Sequence, residues 1–259
     1  MFDLQGTLIP SANHCCFSYP STDFYKLSTF SSAESITAIS KLYDMEINHL
    51  TSKLDYLVNI IRSSSLKTIL NGPSVPFFLP ATTNTDIGAR LENDLMPLLS
   101  KEFTSCYPKS HFKAIVQDKK DLPGRLAPRK NTGYIDLIEA NTKSNLIGYY
   151  FPLALNQYSV TSQVAAFEFI SENSLAYCLS GPLEISSALA STPSLLIHTN
   201  SYSPILVGSG AEHADSRLIP VFKSYGQHLE FWVLSNILTP GFEQISEQWS
   251  GGVTIYDHF

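Results

Sequence analysis

Ser31-Ser32-Ala33-Glu34-Ser35-Ile36-Thr37-Ala38-Ile39-Ser40-Lys41-Leu42 (31–42) carries the clearest local signal in the chain. Ser31 through Glu34 form a capping box, in which a hydroxyl and a carboxylate satisfy orphan N–H groups at a helix start. Beyond it Ile36, Ile39, Leu42, Leu50, Leu54, Leu57 and Ile61 recur at steps of three and four or their sums. Charged residues from Glu34 to Arg62 fill the gaps. That is an amphipathic helix, or a pair of helices, over 32–64 with an interruption near Asn48. Asn71-Gly72-Pro73 ends any continuation. Val75–Pro80 reads as extended, because each proline disfavours helix in the residue before it. A second helical pattern follows Thr85-Asp86 and carries Ile87, Leu91, Leu95, Leu98, Leu99 and Phe103, with Pro97 kinking or dividing it.

Upstream, a short strand is expected near Cys15–Ser18, before the Pro20–Asp23 cluster. Downstream, from residue 111, the apolar period changes to two. Strands are expected at 112–117, 134–139, 145–151, 164–170, 175–179, 195–198, 205–207, 218–222, 229–234 and 253–256. Polar turns at 141–144 and 171–174 imply two successive hairpins. Short helices are expected at 182–190 and from Thr239-Pro240 through Phe242, Ile245 and Trp249. Helices first and strands afterwards is the α+β pattern. The expected fold is an antiparallel β-sheet meander of about seven to nine strands, covered on one face by N-terminal helices. No repeat or linker divides the chain, so it reads as one domain over 1–259, with a helical layer at 31–104 and a strand-rich layer at 111–259.

Of the 259 residues only 15% are charged, while 44% are hydrophobic and 12% aromatic. That excludes intrinsic disorder and a charged coiled coil. A net charge of −6 argues against sequence-independent nucleic-acid binding and against an anionic membrane surface. No apolar run approaches the ~18 residues of a spanning helix. The start, Met1-Phe2-Asp3-Leu4-Gln5-Gly6-Thr7, lacks the basic and apolar regions of a secretory signal. Four cysteines without CxxC spacing and the lack of Asn-x-Ser/Thr sequons point to reduced thiols and a cytoplasmic location. Cys15-Cys16 beside His14 reads as small strand residues, not a metal centre.

Phosphate-loop, zinc-helix, nucleophile-elbow and kinase motifs are absent. Gly208-Ser209-Gly210 follows an expected strand, but His213 stands where a dinucleotide fingerprint needs its third glycine, so a tight turn is the better account.

Three constellations carry chemistry. Between Lys109 and Lys130, seven cations face two carboxylates, a local excess of +5 in an acidic chain. Lys120, Arg125, Arg129 and Lys130 of this Pro- and Gly-punctuated loop suit a phosphate or carboxylate, since guanidinium offers a planar two-pronged donor set. Glu212-His213-Ala214-Asp215, if extended, puts His213 and Asp215 on one side, where a carboxylate makes imidazole a better general base. His228-Leu229-Glu230 opens a strand whose other face carries Leu229, Phe231 and Val233. His198, His213 and His228 could in principle meet as metal ligands, but nothing in their spacing brings them together, and no metal or other cofactor is expected. Glu139 and Glu168 read as exposed-face residues, and the tyrosines as core residues with a wet end.

The expected function is a soluble small-molecule enzyme without redox cofactor: a lyase, isomerase or hydrolase. Lys120, Arg125, Arg129 and Lys130 would hold an organic anion in a cavity between sheet and helices, and His213, Asp215 and His228 would move protons. The alternatives are a non-catalytic ligand-binding or sensor domain, and an interaction or assembly subunit. No nucleic-acid or membrane partner is expected; a homodimer is compatible with so lightly charged a surface.

Overall fold

The computed structural model describes residues 2–11, 14, 25–116, 121–235, 237–239, 242–243 and 246–259. The capping box opens α1 (Ser32–Leu42), with the Ser31 side chain accepting the Glu34 N–H. The chain breaks at Tyr43–Glu46, where Asp44 adopts φ +50, and resumes as α2 (Ile47–Ser63), which buries Leu50, Leu54, Leu57 and Ile61. β1 (Val75–Leu79) follows. Asp86 caps α3 (Ile87–Arg90), accepting the Ala89 N–H at 3.0 Å. The expected kink at Pro97 takes the form of a wider π turn, Leu91–Leu95, leading into α4 (Met96–Cys106). Proline removes one backbone donor, and a π turn is a way for a helix to continue past such a gap.

The remaining elements are β2 (Phe112–Val116), β3 (Leu126–Pro128), α5 (Tyr134–Lys143), β4 (Leu146–Asn156), α6 (Val160–Phe167), β5 (Ala176–Leu179) and α7 (Pro182–Ser191). After them come β6 (Ile205–Val207), β7 (Ala211–His213), β8 (Leu218–Tyr225), β9 (His228–Ser235), β10 (Ile237–Thr239), β11 (Phe242–Glu243) and β12 (Trp249–His258). The result is a mixed α+β fold around a large, mostly antiparallel sheet, ordered β1-β4-β12-β6-β8-β9-β2, with β5 also pairing β12. The β12–β6 and β2–β9 pairs are parallel.

Several sequence expectations need correction. The sheet is not a meander: along this path only β8 and β9 are both sequence-consecutive and paired. Both expected hairpins fail because one arm of each is a helix. Tyr134–Glu139 alternates over six residues, yet Tyr134, Leu137, Ile138 and Asn141 are the buried positions of α5, an i, i+3, i+4, i+7 set. Val164–Ile170 falls in α6 and the turn after it; α6 starts at Ser159, whose side chain accepts the Ser162 N–H. Leu195–His198 is not a strand, and of the helix expected after Thr239 the described residues form the β10–β11 pair and the start of β12 at Trp249, while 240–241 and 244–245 lie outside the described residues. The strand expected at Cys15–Ser18 lies outside the described residues.

Helices also cover more than one face. On β1 and β4, Phe78, Ile147, Tyr149 and Phe151 pack with α1 and α2, whereas Val75, Phe77, Leu146 and Tyr150 pack with α4, α5 and α7. Burial from both sides explains why β4 reads as a nearly continuous apolar run. Every residue of α7 is buried. It runs beside edge strand β1 and stands in for a missing strand. Ser187 Oγ accepts the Phe78 N–H at 3.1 Å and donates to Phe78 O at 2.6 Å, and Ser191 Oγ donates to Pro76 O. These hydroxyls satisfy backbone groups that an uncovered edge would leave open. Among the described residues no helix is long and apolar enough to cross a membrane.

Candidate functional site

The structure brings part of the expected composite site together. β3 and β7 form a two-stranded ladder in which Leu126 faces His213 and Ala127 faces Glu212, so the basic loop lies directly against the histidine segment. Ala214 N donates to Arg125 O at 2.8 Å, and Arg129 N to Gly210 O at 2.8 Å. The side chains are already engaged. Arg129 Nε donates to Ser209 O at 2.9 Å and its Nη1 lies 3.9 Å from Glu212 Oε2. Lys130 is exposed, and Lys120 lies outside the described residues.

The His213–Asp215 pairing takes a different form from the one expected. β7 ends at His213 and the chain bends, so the alternation that would align the two side chains stops. The Asp215 backbone N–H, not its carboxylate, meets the imidazole, donating to His213 Nδ1 at 3.0 Å. The Asp215 carboxylate turns to Arg217, with bonds of 2.9 and 2.6 Å, and these hold it well below the usual carboxylate range. His228 belongs elsewhere. The β8–β9 register pairs it with Tyr225, at the far end of β8, seven residues or roughly 23 Å from Leu218, the end of the strand that follows the Asp215 turn. There it stacks on His111, ring centroids 3.8 Å apart, and accepts the His111 N–H. His198 donates to Lys26 O. The three histidines do not converge, and among the described residues no cluster of three or more His, Cys, Asp or Glu could hold a metal. The Gly208–Gly210 turn is a packing device: a Cβ on Gly210 would lie 2.2 Å from Leu179 O.

A second polar region lies inside the molecule. Arg90, the last residue of α3, is 4% exposed. Its Nη2 donates to Oδ1 of Asn141, a buried residue of α5. Asn141 is oriented by its own amide nitrogen, which reaches Leu79 O, Pro80 O and Ser144 O at 3.1–3.3 Å. Arg90 makes no ion pair among the described residues. Burial lowers its pKa, and the more distant Tyr134, Asp94 and Glu184 only partly offset that cost. Arg90 lines a cavity of about 280 Å³ whose other walls include Tyr43, Leu79, Leu95 and Leu98, with Thr82 and exposed Asp94 beside them. Burial pushes the Tyr43 phenol up to about 12, so it stays protonated.

Behind this cavity Glu184 sits in the first turn of α7, fully buried. It accepts the Gly181 N–H at 2.6 Å, the Tyr134 hydroxyl at 3.0 Å and the Thr254 hydroxyl at 3.2 Å. Ser180 extends the chain to Thr254 at 2.7 Å. The absence of a side chain at Gly181 admits the Tyr134 ring, which would lie 2.1 Å from a Cβ there. Despite three donors, burial dominates and raises the Glu184 carboxyl from 4.5 to about 7. Tyr150, near this network, has a buried hydroxyl without a hydrogen-bond partner among the described residues.

Motif and charge patterns in the sequence mark none of Arg90, Asn141, Tyr134 and Glu184, although it holds two signals for them. Arg90 interrupts the apolar stripe of Ile87, Leu91, Leu95 and Leu98 on the face that packs inward. Pro182–Ser191 has no charged face, so a helix there must be buried all round, and its one carboxylate with it. No family model, curated protein or solved structure matches the chain.

Proposed function

We propose that the protein binds a small organic anion, a carboxylate or a phosphate monoester, in the Arg90 cavity. The observation that carries this reading is a guanidinium buried against a cavity with one neutral side-chain partner, Asn141. A buried cation that no carboxylate contacts among the described residues is costly, and an anion seated on its free donors would lower that cost further than distant Asp94 and Glu184 do. Arg90 offers two-pronged geometry, Asn141 fixes its plane, and the leucines and Tyr43 shelter the apolar part of the ligand. At about 280 Å³ the cavity is at the small end of ligand pockets, which selects a compact ligand. No histidine lines it, and Tyr43 is too weak an acid and its phenolate too scarce to move protons at neutral pH. The reading is therefore a non-catalytic binding or sensing site.

Thermal shift with a panel of phosphorylated and carboxylated metabolites tests it on wild type, Arg90→Met and Arg125→Ala. A ligand at a hundred times its Kd stabilises by about 2.7 kcal/mol, roughly 5–10 °C for a chain of this size. The expected result is a shift in wild type and Arg125→Ala that disappears in Arg90→Met. A flat panel in wild type, or a shift retained in Arg90→Met, overturns it.

The β3–β7 ladder supports a second reading, in which Arg125 and Lys130 hold the anion and His213 acts on it, as the sequence suggests. Loss of the shift in Arg125→Ala alone would favour that enzyme.

A further inference from the structure

Eight large hydrophobic side chains are conspicuously exposed among the described residues, and two of the three tyrosines in that set, Tyr202 and Tyr225, flank one cleft. They are 70% and 74% exposed, and the cleft between them measures about 670 Å³. Tyr225 ends β8, where the strand turns through Gly226 into β9; Tyr202 lies in the segment leading into β6. Tyr202 is held in place from behind, by a backbone bridge to Tyr25 and a ring contact at 6.3 Å. Neither ring needs to be outside for the fold: each is an apolar face turned to water at the rim of a concavity.

The cleft that Tyr202 and Tyr225 help to line is otherwise lined mostly by neutral hydrogen-bonding groups. Ser224 Oγ donates to Ser203 Oγ at 3.0 Å, and the Ser203 hydroxyl donates in turn to Leu196 O. This directional chain leaves the lone pairs of Ser224 as acceptors. Gln248 Nε2 lies 3.4 Å from Ser203 O, and Asn200 adds an exposed amide. The charge present is already neutralised. Lys223 Nζ lies 4.2 Å from the centre of the Trp232 ring and 3.7 Å from Glu230 Oε2, and the His198 imidazole is committed to Lys26 O.

We infer that this cleft is a saccharide-binding site. Sugars present apolar C–H faces that stack on aromatic rings, and a rim of hydroxyls that hydroxyl and amide side chains satisfy in either direction. An anionic ligand would find no cation among the lining residues but Lys223, which is held by Glu230 and Trp232, and a flat protein partner would leave the hydroxyl-lined floor unfilled. The site is separate from the Arg90 cavity and stands whether or not that cavity binds an anion.

Saturation-transfer NMR with three neutral oligosaccharides, maltohexaose, cellohexaose and chitohexaose, tests the inference on the full chain. At least one is expected to bind, with transfer to ring-facing C–H protons and no weakening in high salt. Tyr202→Ala and Tyr225→Ala should each weaken it about tenfold; both rings are exposed, so the variants fold, as circular dichroism will confirm. Arg90→Met should bind as wild type does. Silence from all three sugars overturns the proposal, as does binding that survives the double tyrosine variant. A dimer lost in the tyrosine variants, without sugar binding, would assign the rings to a protein contact and overturn it as well.

Discussion

Two polar regions of this molecule differ in how they carry charge. Along the β3–β7 ladder, arginines and acids cluster in sequence, stand at or near the surface and answer one another: Arg129 meets Glu212, and Arg217 meets Asp215. Behind β1, Arg90 and Glu184 arrive singly from apolar helices, are almost completely buried and are met mainly by neutral groups. The first arrangement is conspicuous and cheap, because solvent screens it. The second is inconspicuous and costly, and a protein that retains a costly arrangement beside a cavity has a use for it more often than one that pairs charges on its surface.

The largest expected effect tests the buried side of this contrast. Glu184 has a folded pKa near 7, above its ordinary 4.5. The native state thus holds the proton more tightly than the unfolded one. That contribution to stability is complete below the unfolded value and is lost as pH rises through the folded one. Glu184→Gln, which mimics the protonated acid, should remove the dependence. Denaturant unfolding of both proteins between about pH 4 and pH 8 should show wild type losing up to about 3 kcal/mol relative to the variant. Parallel curves would mean that Glu184 is not desolvated in the folded state.

Ser187→Ala comes next. It leaves the Phe78 N–H and carbonyl of β1 without their partner and should cost about 2 kcal/mol in urea unfolding. An unchanged midpoint would show that water reaches this edge. Arg90→Met without ligand relieves a buried charge but leaves Asn141 Oδ1 without its donor, so its net change should be smaller than that of Ser187→Ala. A loss as large as that of Ser187→Ala would mark Arg90 as structural and weaken the case for a site. At the surface, Asp215→Asn should leave the melting temperature unchanged, because the carboxylate it alters is solvent-screened. A clear drop would erase the distinction between the two regions.

The helical half of the fold is legible in the sequence because caps and three-to-four spacing act locally: Ser31, Asp86 and the Leu50–Ile61 stripe specify α1, α3 and α2 without help from distant residues. The strand half is less so. Six alternating residues at 134–139 satisfy a strand pattern and a helix pattern alike, and tertiary burial of Asn141 decides between them. The strand order is invisible as well. β12 comes last in the chain yet lies at the centre of the sheet, between β4 and β6, a long-range pairing that no local spacing encodes. The same limit applies to sites. Clustered charge marks Arg125 and Arg129 in the sequence, and the ladder with His213 brings those segments together, but the geometry that gives Arg90 its character depends on α5, β1 and α4 arriving from three parts of the chain.

Soaking a crystal of the protein with 4-bromobenzoate, whose aryl bromide does not alkylate side chains, and locating the bromine by anomalous scattering tests the central claim most directly. The account predicts a peak in the cavity walled by Leu79, Leu95 and Leu98, with the carboxylate on the Arg90 guanidinium. A peak confined to the Arg125–Lys130 loop, or an empty Arg90 cavity under the same soak, would contradict it.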